Sequence, residues 1–558
     1  MKLKLLSLCA AFVLAFCCVF GAACKPNGIE SIALNGLGEL VITMQDGSVS
    51  TLGKIGGKDN ERVEEAYVSN GSLKFKLVTG DTVDLGTIAG LTDAFIDDDG
   101  SLMIFIANKE KLFNCGKAIE GIVANDFTYK EVWEGGKVKG YSVTGLLNTT
   151  SETVYVSPTY KEKRVVGISD EAFKDCTQIE SINIPDSVES IGKFAFSDCS
   201  NLVNINFGIG LKEVDNYAFA RCWGLKDVNV RSIEAWCEIS FADPSSNPLY
   251  FGDNLYEKGT LITELNLSDA VTKIGAYTFY EYAHIKSVAT GDGAAEIGDF
   301  AFYGCTALES LKLGWGVAAL GVHSFSGCGV LKDVTVGESL KTIGDFAFNM
   351  CGNIEKIVLP DSTRSIGESS FNECYSLKEI SLNDGLETIG DGAFAGCPSL
   401  EKFIMPDSVK EIGHGVLMNI RGSGFGGESG DITGISEIRV SNSITEIPDY
   451  AFSMCGIKSI TLGSKVRIVG YSSFFGCEAL ESVVIPVSVT TIQSYAFYHC
   501  SSLNTVFYEG DETKWNDVFI GKNGNDIRNA AVYFYSAEKP AAPGNFWHYV
   551  QGVPTVWE

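Results

Sequence analysis

The phrase Ile-Gly-x-x-Ala-Phe-x-x-Cys returns down the chain every 23 residues, and a repeat that short permits few folds. Its phenylalanines stand at Phe173, Phe196, Phe219, Phe279, Phe302, Phe325, Phe348, Phe371 and Phe394, then after a break at Phe452, Phe474 and Phe497. A unit of this size cannot enclose a core by itself. It buries its apolar face only by stacking on a like neighbour, and the result is a solenoid. At 558 residues the chain also exceeds what one compact core usually holds, which favours an array over a single globule.

The cleanest copy runs from Leu377 to Cys397. Around Ile380 it alternates apolar and polar residues as a short strand does, and the same strand one repeat later must lie beside it in parallel. Pro360-Asp361-Ser362 and Pro406-Asp407-Ser408 then supply turns, because proline presets the bend where no ladder donor is needed. Ile-Gly returns the chain, and Ala-Phe-x-x-Cys fills the opposite wall. The expected fold is therefore a mainly β repeat protein, a solenoid with a parallel sheet over residues 165–510. Two copies depart from the pattern. Tyr282 replaces the cysteine in one, and Leu417 and Ile420 replace phenylalanine and cysteine in the other, ahead of a glycine-rich loop at 421–434.

Residues 29–121 hold a second, weaker repeat: three pairs of alternating runs, each pair joined by a turn such as Asp46-Gly47 or Gly80-Asp81. Three small β-hairpin units forming a stalk are expected there, followed by a strand-like lead-in at 122–164 in which Tyr155 and Tyr160 cover the first coil. The front of the chain reads as an export signal at 1–23, with Lys2 and Lys4 ahead of the apolar run Leu5 to Phe20. Gly21-Ala22-Ala23 before Cys24 resembles a bacterial lipoprotein signal, which implies a lipid on Cys24 and a short linker at 24–28. The same small residues also suit ordinary signal peptidase and simple secretion. At the other end, Trp515, Trp547 and Trp557 crowd residues 511–558, where an aromatic cap over the last coil is expected.

Leu-x-x-Ile-x-Leu-Pro followed by Ile-Gly-x-x-Ala-Phe-x-x-Cys resembles the BspA-like leucine-rich repeats of bacterial surface proteins. The resemblance covers Val165 to about Gly510. Residues 233–270, from Ile233-Glu234-Ala235-Trp236 through Asn247-Pro248-Leu249-Tyr250, resemble the island these proteins insert between repeats. What the resemblance implies is adhesion: attachment at the cell surface to host matrix or cell-surface proteins, or to neighbouring cells.

Eleven of the 17 cysteines share one repeat position, from Cys176 to Cys500. Residues at one site of successive coils point the same way, so a ladder of buried thiols acting as small apolar filler is the main expectation. Adjacent coils also lie within disulfide reach, so disulfides and metal binding remain alternatives, although no Cys-x-x-Cys spacing supports metal. Gly422-Ser423-Gly424-Phe425-Gly426-Gly427 matches a phosphate-loop pattern, but it sits inside a repeat and opens no helix. The five histidines form no zinc spacing, and acids such as Glu387 and Asp391 read as solvated surface. The chain is expected to carry no enzyme activity and no cofactor. Its charge of −27, without a basic cluster, repels phosphate backbones, so no nucleic acid partner is expected.

The most regular surface of such an array is its strand face. Flanking each central strand residue are outward positions that include Asn183, Asn206 and Asn229, expected to stack in consecutive coils, and Lys312, Thr335, Val358, Ser381 and Ile404. This mixed strip, with Val358 and Ile404 as exposed apolar members, is the candidate ligand-binding surface. Capture of a glycan by aromatics such as Phe507 or Trp547, and a purely structural spacer, are the other readings.

Overall fold

A computed structural model describes residues 127–557, apart from 148–151, 162, 419–434 and 542, together with nine strands between Ile29 and Lys117. The leader at 1–23, Cys24, the linker at 24–28 and the glycine-rich loop at 421–434 lie outside the described residues. The nine early strands form three antiparallel three-stranded sheets, Ile29–Leu34 to Val49–Lys54, Val63–Ser69 to Thr82–Thr87 and Leu91–Ile96 to Lys111–Lys117. Each expected hairpin thus carries a third strand in front of it. The chain divides into two compact units, residues 1–210 and 211–558.

In the first unit, Phe127–Glu134 and Lys137–Leu146 form an antiparallel hairpin, and the second of these strands starts the parallel ladder by pairing with Lys163–Ile168. Tyr160 stacks on Tyr129 at 4.0 Å and meets Tyr141 edge-on at 4.9 Å. The ring that covers the first ladder phenylalanine is Phe127, edge-on to Phe173 at 6.0 Å. Tyr155 is half-buried on a short strand in register with Asn183.

In the second unit the coils repeat one plan. A three- or four-residue strand such as Ser310–Lys312 lies parallel and in register with its equivalents Ser287–Ala289 and Asp333–Thr335. A two-residue strand after the turn forms a second parallel ladder, seven members long, from Lys273–Ile274 to Glu411–Ile412. Central apolar residues of both ladders, among them Leu311, Leu320, Ile343, Ile357 and Ile366, are buried and build the core. Strands Lys402–Ile404 and Glu437–Arg439 pair in register, so the first ladder is continuous between the residues described on either side of 419–434.

The opposite wall is turn-like, yet it is tied from coil to coil as firmly as a sheet. Phe300 N donates to Val322 O at 2.8 Å, Phe302 N to Ser324 O at 2.8 Å and Gly304 N to Ser326 O at 2.8 Å, so every second N–H reaches the next coil. Left-handed backbone at alternate-turn positions makes this register, with φ of 54° at Phe300 and 68° at Gly304. Ladder phenylalanines stack face to face inside it: Phe302 on Phe325 at 5.2 Å, Phe325 on Phe348 at 5.4 Å, Phe348 on Phe371 at 5.4 Å.

The segment resembling an island is itself a coil. Ser232 caps a short helix, Ile233–Cys237, and Trp236 of that helix is buried, its indole N–H donating to Thr278 O at 3.3 Å. Ser240–Phe241 then joins the short-strand ladder beside Glu213–Val214, and Asn254–Glu257 joins the long-strand ladder beside Asp227–Val230. This longer coil explains the tyrosine in the cysteine row. Tyr282 reaches past the usual thiol position, and its hydroxyl donates to Ile262 O at 2.7 Å. The coil at 511–535 uses the same parts: an Asp511-capped helix at Glu512–Asn516, a short strand at Phe519–Ile520 and a long one at Ala531–Tyr535.

Candidate ligand-binding surface

The cysteine row is a ladder of free thiols at each described position. Most of these sulfurs donate back to the phenylalanine carbonyl of the preceding coil: Cys305 to Phe279 O at 3.2 Å, Cys328 to Phe302 O at 3.2 Å, Cys351 to Phe325 O at 3.2 Å, Cys477 to Phe452 O at 3.1 Å, while Cys455 reaches Leu417 O, the residue in the phenylalanine's place, at 3.6 Å. That carbonyl already accepts a backbone N–H of its own turn, so the thiol uses its second lone pair. Burial pushes the thiols of Cys328, Cys397 and Cys455 up to about 12, which keeps them protonated at neutral pH. The row is structural.

Asp391 is not simply a solvated acid, as its variable-looking position suggested. Its carboxylate accepts His414 N at 2.8 Å, and Asp299, Asp345 and Asp449 do the same for Val322, Glu368 and Tyr471. These acids cap a backbone donor of the next coil. For Asp299, Asp345 and Asp391 the signal was present in the recurring Ile-Gly-Asp. Glu387, by contrast, is exposed and pairs with Lys410 at 2.8 Å, which holds its carboxyl below the ordinary value. Among the described residues no group of three or more His, Cys, Asp or Glu side chains could hold a metal ion. No described helix is long and apolar enough to cross a membrane.

The strand strip is assembled by the long-strand ladder. In the first unit Asn206 donates its side-chain amide to Asn183 at 2.9 Å, so these two asparagines stack as expected. Asn229, in the second unit, stands in register with Tyr256. Lys312 and Thr335 are exposed and adjacent across the ladder, and Ser381 is half-buried in register with Val358. Val358 is 55% exposed and Ile404 37% exposed, both on strands whose first residue is an exposed lysine. Lys356 pairs with Glu379 at 2.8 Å and Lys402 with Glu437 at 2.8 Å, so opposite charges border the two apolar side chains. Exposed pairs of this kind add little stability but give the strip a defined charge pattern.

Toward the C-terminal end the strip turns apolar at Val484, Phe507 and Tyr533, and these cluster with Trp547, whose ring lies 5.3 Å from that of Phe507. Strand Phe546–Val550 pairs with Ala531–Tyr535, and the indole N–H of Trp547 donates to Tyr508 O at 2.9 Å. Trp547 is fully buried and Phe507 nearly so. Neither offers an open ring face, which corrects the expectation that they could serve as sugar platforms.

A family model of the BspA type leucine rich repeat region matches in six copies, over residues 166–293, 249–318, 295–422 and 431–527. The chain belongs to the BspA-type leucine-rich repeat family. Solved structures similar to it include a leucine rich cell surface protein of Faecalibacterium prausnitzii, 22% identical over 72% of this chain and 98% of that one, with a TM-score of 0.35. A leucine-rich repeat protein of Bacteroides ovatus is 22% identical over 74% of this chain and 100% of that one, TM-score 0.36. The pneumococcal vaccine antigen PcpA is 18% identical over 72% and 96%, TM-score 0.38. No curated protein matches the chain. Membership in the family points to an exported protein with a role at the cell surface or in protein interaction, and repeat proteins of this family and fold are typically non-enzymatic.

Proposed function

We propose that the protein captures a protein ligand noncovalently at the cell surface, on the host or on a neighbouring cell, through the strand strip running from Lys312 to Ile404. One observation carries this reading. Where the strip becomes apolar at Val484, Phe507 and Tyr533, the chain covers it with its own Trp547, whereas Val358 and Ile404, on the same face, are left open. An exposed aliphatic side chain ringed by lysine and glutamate is the composition of a small contact patch. Repetition of weak contacts along one strip, and of many molecules on one cell, gives avidity without a deep pocket. Lipid on Cys24 would hold the protein to the membrane, and loss of radiolabelled fatty acid in Cys24→Ala tests that attachment.

The binding test is a screen of the protein against immobilised host matrix proteins, cell-surface proteins and a glycan array at physiological salt. Saturable binding to a protein, weakened about tenfold or more by Val358→Asp with Ile404→Asp, is the expected result. Binding to glycans alone would move the function to carbohydrate capture. An undiminished protein interaction in the double variant would remove the strip from the mechanism.

A further inference from the structure

The wall opposite the strand strip carries a row of aromatic side chains that the fold does not require. Tyr277, Phe300, His323 and Phe346 hold one repeat position in four successive coils, and their rings stack at 5.1, 4.7 and 4.6 Å. Beside them Tyr280 stacks on Tyr303 at 5.0 Å, and Tyr303 lies 5.7 Å from Phe300. All six are half-buried. Their backbone is left-handed at Tyr277, Phe300, His323 and Phe346, with φ between 54° and 58°, a conformation unfavourable for bulky residues. Further along, Ser369, Gly392 and Gly415 fill the same position at φ of 49°, 56° and 57°. Ser326 and Ala395 fill that of Tyr303. The array therefore closes without rings at these sites.

Charge on this wall is one-sided. Residues 274–283, 297–306, 320–329, 343–352 and 366–375 include Glu281, Asp299, Asp345, Glu368 and Glu373, and no lysine or arginine. The strand side of the same coils carries Lys286, Lys312, Lys332, Lys341, Lys356 and Lys378. His323 adds no cation, because burial pushes its pKa below the ordinary value and leaves it neutral at pH 7. The first unit shows what an aromatic at this position can hold. There Phe194 occupies the place of Phe300, and the ammonium of Lys174 lies over its ring, 5.6 Å from the centroid. In the four coils of the aromatic row the residues in the place of Lys174 are Tyr280, Tyr303, Ser326 and Asn349. The aromatic position remains, and the intramolecular cation does not.

We propose that this aromatic, carboxylate-flanked wall is a second docking surface, and that its occupant is a basic polypeptide segment whose lysine and arginine side chains lie against the rings. Ring electrons and carboxylates both attract such groups, and arginine also stacks on aromatic planes. The test is a titration of the protein with a lysine- and arginine-rich peptide and with the same peptide carrying glutamine at every basic position, read by fluorescence anisotropy at physiological salt. The basic peptide binds and the glutamine peptide does not. Tyr280→Ser with Tyr303→Ser weakens binding about fivefold or more, the loss of two cation–π contacts at half-buried rings. This variant keeps the net charge and installs the residue the array already uses at Ser326, so an unchanged thermal melt shows the wall intact. Equal binding by the double serine variant would reduce the attraction to net charge and overturn the proposal, as would failure of the basic peptide to bind. Val358→Lys with Ile404→Lys, which adds positive charge to the strand strip, leaves the titration within twofold of the wild type; its abolition there would place the peptide on the strand strip and also overturn the proposal.

Discussion

Replacing Phe325 by alanine removes a fully buried ring that stands between Phe302 at 5.2 Å and Phe348 at 5.4 Å. Core phenylalanine-to-alanine changes cost about 3–5 kcal/mol, the spread depending on how far the surroundings close into the cavity. Closure is hard here. Both neighbouring rings sit on backbone pinned from coil to coil, Phe302 N to Ser324 O at 2.8 Å and Phe348 N to Ser370 O at 2.7 Å, so the cost falls at the upper end, about 4–5 kcal/mol. Phe346, two positions before Phe348 but half-exposed, provides the contrast. Phe346→Ser loses one stacking contact, with His323 at 4.6 Å, and costs about 1 kcal/mol or less. Urea unfolding of both variants measures the difference, and peptide-resolved hydrogen exchange places it, with protection lost first in the coils holding Phe302 and Phe348. A Phe325→Ala variant within about 1 kcal/mol of the wild type, or a Phe346→Ser variant as damaged as Phe325→Ala, would refute the account of the wall as a stacked core.

Iodoacetamide on the native protein should modify Cys176, which is half-buried, and spare Cys328, Cys351, Cys374 and Cys397 until denaturant is added; mass spectrometry of tryptic peptides reads the outcome. Because burial raises these thiols from 9.0, with Cys328 and Cys397 reaching about 12, folding favours their protonated form. The stability this represents is complete below 9.0 and falls as pH climbs toward about 12, so the urea midpoint should drop across that alkaline range. Trp547→Ala uncovers Val484, Phe507 and Tyr533; a loss of about 3–5 kcal/mol confined to the last coils, together with new binding of a hydrophobic dye, is expected. Asp391→Ala leaves the His414 N–H without its acceptor and costs up to about 1 kcal/mol, while Glu387→Ala, at an exposed ion pair, should leave the melting temperature unchanged.

The period and the buried rows were legible in the sequence because every coil repeats the same demand. A ring at Phe302, Phe325 and Phe348, or a thiol at Cys305, Cys328 and Cys351, recurs in phase whatever stands between. The outward positions of the strip were legible for the same reason, since alternation about Leu311 or Ile357 fixes which side chains leave the core. Left-handed backbone at Tyr277, Phe300 and His323 was hidden by its occupants. Tyrosine, phenylalanine and histidine give no sign of positive φ, and only Gly392 and Gly415 at the equivalent sites hint at it. The capping role of Asp391 left only one trace, the recurrence of Ile-Gly-Asp, because a single acid that accepts a backbone N–H from the next coil looks, in one dimension, like any surface acid. Nor could local pattern say that Trp547 folds back across Phe507, a contact between residues 40 positions apart that no 23-residue period contains.

Because both walls are bonded in a constant register, the partners of any coil in the regular stretch are replaceable by those of the coil beyond. Excising residues 343–365 would join Thr342 to Ile366, set the ring of Phe371 where Phe348 had met Phe325, and bring Ser369 under His323. Every strand would find an equivalent neighbour. Removing one residue more or fewer would instead throw each later phenylalanine, thiol and capping aspartate out of phase with the coil before it. In this stretch the heritable unit of change is the whole coil: a gene can lengthen or shorten both faces in such steps, adding or deleting contact area without redesigning a core.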